Sequence, residues 1–129
     1  MALSPLEQHI LAYFIAGEAD EFRMDPRWWP ALELSQIVEH KVRFAASIVD
    51  VTDRVSCANA ARALLDMLIA RGAFTTSESE YGPMYQFQRD VYRAYIAELR
   101  ASDPIIAQAR ADGDDYWRNA FADLTESAP

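Results

Sequence analysis

Residues 56–74 read SCANAARALLDMLIARGAF. Leucine and isoleucine recur in this stretch at helical spacing, and it closes on Arg71 and Gly72. A basic last turn followed by glycine is typical of a helix C-terminus. Ser56 offers a side-chain oxygen that can cap the first turn. The stretch therefore predicts an amphipathic helix that starts at Ser56 and leads at Ala73 into a different element.

Two short β-prone runs follow this helix. They occupy residues 73–76 and 84–88, and the turn signal Tyr81-Gly82-Pro83 lies between them. Such runs around a glycine- and proline-containing turn are typical of two paired strands. The sequence predicts a β-hairpin over residues 73–88.

The N-terminal part of the chain predicts two more helical segments. Ser4 and Pro5 form a typical helix start, and this helix is expected to end at Gly17. Residues 18–30 are expected to form a loop whose two tryptophans fold back onto the core.

The second helical segment begins near residue 31. Its β-branched cluster at residues 48–52 disfavours helix, so we expect a break near residues 45–47, with one long helix over residues 31–53 as the alternative. The expected apolar stripe comprises Leu34, Ile37, Phe44, Ile48, Val51 and Val55.

The C-terminal part predicts two further helices. The first lies before Asp103-Pro104, and the second follows it with a bend at residues 112–114. These helices carry an aromatic stripe that could pack in the core or could pair two subunits, because aromatic residues are enriched at interface centres. We expect a homodimer interface, formed by Tyr92, Tyr95, Trp117 and Phe121.

The order of these elements resembles the winged helix-turn-helix superfamily, in particular bacterial winged-helix transcriptional regulators. The resemblance implies a mainly α fold with a small β-hairpin wing, in which residues 56–72 form the recognition helix. It also implies a single domain over residues 1–129, with a winged-helix core over 1–88 and a helical extension over 89–129. The expected function is sequence-specific binding of double-stranded DNA as a small transcriptional regulator.

Residue types on the predicted recognition helix fit this function. Asn59 and Arg62 lie opposite the leucine stripe, and these side chains can form two hydrogen bonds with adenine and guanine edges, respectively. Residues 41–71 contain five basic and three acidic residues, whereas both flanking segments are acidic. The expected phosphate contacts are Lys41, Arg43, Arg54 and Arg71.

The composition limits the other function classes. A net charge of −8 argues against a protein that coats nucleic acid or an anionic membrane with its whole surface. One cysteine excludes an internal disulfide framework and a cysteine-rich zinc module. Because the sequence contains no phosphate-binding loop, nucleophile–base pair or metal-ligand pair, we expect neither an enzyme nor a cofactor. The N-terminal apolar run lacks preceding basic residues and is too short to span a bilayer, so we expect a cytoplasmic protein.

Acidic residues near the predicted recognition helix leave open two alternatives to DNA binding. The expected hairpin tip at residues 77–80 contains two glutamates, and Asp66 shares the face of Arg62. The alternative is an acidic winged-helix module that binds another protein and no DNA, and a weaker one is a nucleic-acid mimic. Cys57, in the first turn of the helix, is expected to have a lowered pKa from the helix dipole, although we favour a packing role over a redox role.

Overall fold

The chain folds into helices that pack on one another, with a small three-stranded antiparallel sheet at their side. A computed structural model describes the backbone of residues 2–126 and the side chains of residues 2–125. It is mainly helical, at about 71%. The helices are α1 (Pro5–Tyr13), α2 (Ala31–Ile48), α3 (Arg54–Arg71), α4 (Arg89–Ser102), α5 (Pro104–Asp112) and α6 (Asp114–Glu126). The strands are β1 (Trp28–Pro30), β2 (Phe74–Ser79) and β3 (Gly82–Phe87).

Helix α1 starts as predicted. The Ser4 hydroxyl accepts a 3.1 Å hydrogen bond from the backbone N–H of Glu7, and the Glu7 carboxylate accepts one of 2.8 Å from the N–H of Ser4. This reciprocal capping box satisfies two amides that the helix leaves without partners. The expected end at Gly17 is wrong, because a π-helical turn (Phe14–Glu18) and a 3₁₀ turn (Ala19–Glu21) continue the helix.

The segment expected to be a loop over residues 18–30 contains a strand. Strand β1 pairs antiparallel with β3, and Trp28 lies opposite Gln86. A strand of three residues is too short to show an alternating pattern, and its partner lies far along the chain. Trp29 is buried, as predicted, and its indole N–H donates to the carbonyl of Asp25 at 3.2 Å, whereas Trp28 remains partly exposed.

Helix α2 is continuous to Ile48, so the expected break at residues 45–47 is wrong. Ala45 and Ala46 are fully packed in the core, and this tertiary contact outweighs the low helix propensity of the β-branched residues that follow. The helix ends before Asp50, which adopts a left-handed conformation with φ of 62°.

The apolar stripe expected on α2 is also partly wrong. Its members Phe44 and Val55 are 65% and 70% exposed. The face that packs in the core is rotated around the helix and consists of Leu34, Val38, Val42, Ala45 and Ala46. Val55 belongs to α3 instead of α2.

Helix α3 and the hairpin form at the predicted places but with different bounds. The helix begins at Arg54 instead of Ser56, and the chain turns at residues 80–81, because Gly82 and Pro83 already pair with Ser79 and Glu78. The cap is Asp53 and not Ser56, because the Asp53 carboxylate accepts from the backbone N–H groups of Val55 and Ser56 at 3.1 and 3.3 Å. The helix ends at Gly72, whose φ of +85° strains any other residue. Strands β2 and β3 then pair antiparallel, and β3 lies between β1 and β2.

The C-terminal segment forms three helices, because Gly113 separates α5 from α6 where we expected only a bend. These helices pack against the end of α1, and their buried residues belong to the same core cluster as those of the N-terminal part.

Three of the four aromatic residues expected at a dimer interface lie in this core. Tyr92, Trp117 and Phe121 are 3%, 1% and 1% exposed, and the Tyr92 hydroxyl donates to the carbonyl of Ala19 at 2.6 Å. They have no surface to offer a second subunit, so their interface role is corrected to core packing. Tyr95 is half-buried beneath the guanidinium of Arg71, whose central carbon lies 4.8 Å from the ring centroid.

Candidate nucleic-acid interface

The outer face of α3 forms a continuous polar stripe. Leu64 and Leu68 are fully buried on the inner face, which fixes the opposite side of the helix toward solvent. Seven residues make nearly two helical turns, so Val55 and Arg62 lie on one line along this outer face. The exposed residues of the stripe are Val55, Asn59, Arg62 and Asp66.

Four of the predicted basic contacts have no ion pair with an acid among the described residues, and three of them have no polar or ring contact either. Within residues 2–126, Arg43, Arg54 and Arg62 have no hydrogen-bond or ion-pair partner. Lys41 is half-buried, with its ammonium 5.7 Å from the centroid of the Phe22 ring. Unpaired guanidinium groups remain available for a phosphate or a base edge, since no protein carboxylate has to be displaced.

Arg71 has a different environment. Its guanidinium forms an ion pair with Glu98 on α4 and stacks over Tyr95. It therefore joins the end of α3 to α4, and we remove it from the expected phosphate contacts.

Asn59 is held by Glu7, a residue whose sequence context carries no sign of this contact. Its side-chain nitrogen Nδ2 donates a 2.7 Å hydrogen bond to the Glu7 carboxylate, which is only 9% exposed. Hydrogen bonds from the Ser4 backbone N–H and from Asn59 lower the pKa of Glu7 and keep it ionised. The two residues are 52 positions apart, so no local pattern could have revealed this contact.

A shallow groove of about 380 Å³ runs beside this stripe, between α2, α3 and β3. This groove places two acidic residues near Arg62, because Glu39 and Asp66 line it together with that arginine. Its remaining polar lining residues are Ser35, Asn59 and Tyr85.

Two more acidic features surround the interface. The Asp53 carboxylate already occupies amides at the N-terminus of α3, so a phosphate cannot use the same donors without displacing it. The hairpin is also acidic, with Glu78 exposed on β2 and Glu80 exposed at the turn. The hairpin and the N-terminal amides of α3 therefore offer no positive charge beside the cations of α2 and α3.

Cys57 is a packing residue in this structure. Its thiol is buried, and burial followed by the charge of Asp53 raises its pKa, whereas Arg43 has only a weaker opposing effect. The lowered pKa expected from the helix dipole is wrong, because desolvation of the thiolate outweighs the dipole.

Two further polar side chains of the kind that can ligate a metal, His9 and Asp112, have partners within the fold. The Nδ1 of His9 lies 2.8 Å from the carbonyl of Pro5, and its ring packs edge-on against Trp117. Asp112 accepts from the side chain of Gln108 at 2.8 Å. Over the described part of the chain, no group of three histidine, cysteine or acidic residues could hold a metal ion.

Comparisons with protein-family models, with curated proteins and with solved structures give no match to this chain. Along residues 2–126, no helix has both the length and the apolar character needed to cross a membrane.

Proposed function

We propose that the protein is a winged helix-turn-helix protein that binds double-stranded DNA with α3 in the major groove. The observation that carries this proposal is the sheet order β1-β3-β2 combined with the chain order α1-β1-α2-α3-β2-β3. In this arrangement α3 buries one face against α1 and α2 and leaves the other free beside a hairpin. A recognition helix needs this division between a packed face and a free one.

The unpaired cations support the proposal. Arg62 lies in the middle of the free face, where it is suited to the two acceptors of a guanine edge. Arg43 and Arg54 flank the turn between α2 and α3, and with Lys41 they would hold the phosphate backbone. Phosphate contacts act locally, within a Debye length of about 8 Å at physiological salt, so the overall net charge does not preclude them.

A second candidate is a winged-helix module that binds another protein. The acids around the interface favour it, because Asp53 caps α3 and the hairpin carries Glu78 and Glu80 where a DNA-binding wing would benefit from basic residues. This candidate predicts no affinity for DNA even at low salt.

The test is capture of fragmented genomic DNA by the purified full-length chain at about 50 and about 200 mM salt. We expect enrichment of discrete fragments that is weakened by salt and by Arg62→Ala. The matched control is Arg93→Ala, since Arg93 is an exposed arginine on α4 with no ion-pair partner in the described part of the chain. Absence of retention at the lower salt would overturn the proposal in favour of the second candidate.

A further inference from the structure

An exposed valine stands at the start of the free face of α3. Val55 is the second residue of the helix and is 70% exposed, on the same line as Arg62. The N-terminal residues of a recognition helix are those that contact base edges. Because valine has no hydrogen-bonding group in its side chain, its favourable partner in the major groove is the methyl group of thymine.

Asn59 follows one turn after Val55 and has a fixed amide orientation. A carboxylate only accepts hydrogen bonds, so the atom that faces Glu7 must be the amide nitrogen. One of its two hydrogens is donated to Glu7, while the second hydrogen and the oxygen Oδ1 have no hydrogen-bond partner among residues 2–126. These are the donor and the acceptor that adenine requires, at its N7 and N6 positions, respectively.

Arg54 supplies the positive charge at this end of the helix, next to the Asp53 carboxylate that caps it. Arg54 directly precedes Val55, is exposed, and has no ion-pair partner within the described residues. A phosphate held by this arginine would bring the neighbouring base edges toward Val55 and Asn59.

We infer that the first two turns of α3 select A·T base pairs, through the thymine methyl group at Val55 and the major-groove edge of adenine at Asn59. This inference rests on the proposed function and adds the class of base pair that the site reads.

Uracil substitution tests the contact at Val55. A duplex recovered from the fragment pool is prepared with uracil in place of thymine, which removes the methyl group and keeps the base pairing. Wild-type protein should bind the uracil duplex about fourfold more weakly for each contacted thymine. Val55→Ala should reduce the difference between the two duplexes, because alanine retains only one methyl group for this contact, whereas the control Val91→Ala, at an exposed valine of α4, should keep the full difference.

Substitution of adenine by 7-deazaadenine tests the contact at Asn59, because this base lacks the N7 acceptor. Wild-type protein should bind the modified duplex about tenfold more weakly, and Asn59→Ala should bind both duplexes alike. Equal wild-type binding to the natural duplex and to both modified ones would overturn the inference while leaving the proposed function intact. Failure of the wild-type protein to retain any DNA would overturn both.

Discussion

The side-chain amide of Asn59 donates a 2.7 Å hydrogen bond to the carboxylate of Glu7, which joins the middle of the free face of α3 to the first turn of α1. The same carboxylate closes the capping box with Ser4. The Glu7 carboxylate therefore caps the start of α1 and also orients the Asn59 amide on the free face of α3.

This link predicts a pH-dependent contribution to stability. The pKa of Glu7 in the folded protein is below its ordinary value of 4.5, so the stabilisation is present above that pH and is lost as the pH falls through the lowered pKa. Glu7→Ala should lower the free energy of unfolding at pH 7 by about 1–2 kcal/mol. Urea denaturation at pH 7 and near pH 3 measures the free energy of unfolding of both proteins. The difference between Glu7→Ala and wild type should be smaller at the lower pH. An unchanged difference at both pH values would contradict the assigned role.

We expect Arg100 on α4 to stabilise the packing of this helix against the segment that follows α1. Its Nε donates to the carbonyl of Ile15 at 2.7 Å, and its Nη1 donates to the carboxylate of Asp20 at 3.0 Å. Arg100→Ala leaves the Ile15 carbonyl without this partner and should lower the free energy of unfolding by about 1.5–3 kcal/mol. The control Arg93→Ala, at an exposed and unpaired arginine, should change it by less than about 0.5 kcal/mol. Equal effects of the two substitutions in urea denaturation would show that these contacts contribute nothing specific.

A phosphate contact at Arg54 should be visible in the salt dependence of DNA binding. Arg54→Ala should weaken binding to all DNA sequences about equally and make the slope of log K against log salt shallower by about 0.9, the value for one phosphate contact. Arg71→Ala provides the comparison, because Arg71 is paired with Glu98 and should leave the slope unchanged. Fluorescence anisotropy with one recovered fragment at four salt concentrations measures both slopes. A slope altered by Arg71→Ala and unaffected by Arg54→Ala would reverse the two assignments.

The thiol of Cys57 should be unreactive in the folded protein. Burial raises its pKa and shields the sulfur, so a disulfide reagent added at pH 7.5 should modify it only as fast as the chain opens. The same reagent in denaturing urea should react at the rate of an ordinary free thiol. Rapid modification without denaturant would mean that Cys57 is accessible and could serve a redox role.

Features with a local signal could be predicted from the sequence. Ser4 and Pro5 mark the start of α1, Arg71 and Gly72 mark the end of α3, and the glycine and proline at residues 82–83 indicate the hairpin, although its turn lies at residues 80–81. Each of these depends on neighbours within a few positions, which a sequence pattern records directly.

Features that depend on distant partners could not be predicted. Strand β1 exists because β3 pairs with it, and Ile15 receives Arg100 from 85 positions away. The stripe of α2 was misassigned because apolar residues occur on two faces, and only the packing shows that Phe44 is exposed. The same limit applies to the candidate site, since the exposure of Arg62 follows from its helical face but the pairing of Arg71 with Glu98 depends on the fold.

The proposed function depends most directly on the salt dependence of wild-type binding. The three proposed phosphate contacts, Lys41, Arg43 and Arg54, contribute about −0.9 each and so predict a slope of log K against log salt of about −3 for each bound chain. Anisotropy titrations of a fragment recovered from the pool, from about 50 to about 200 mM salt, give this value. A slope near −3 is the result we expect, and a slope near zero or no binding at 50 mM salt would contradict the proposal that α3 binds DNA.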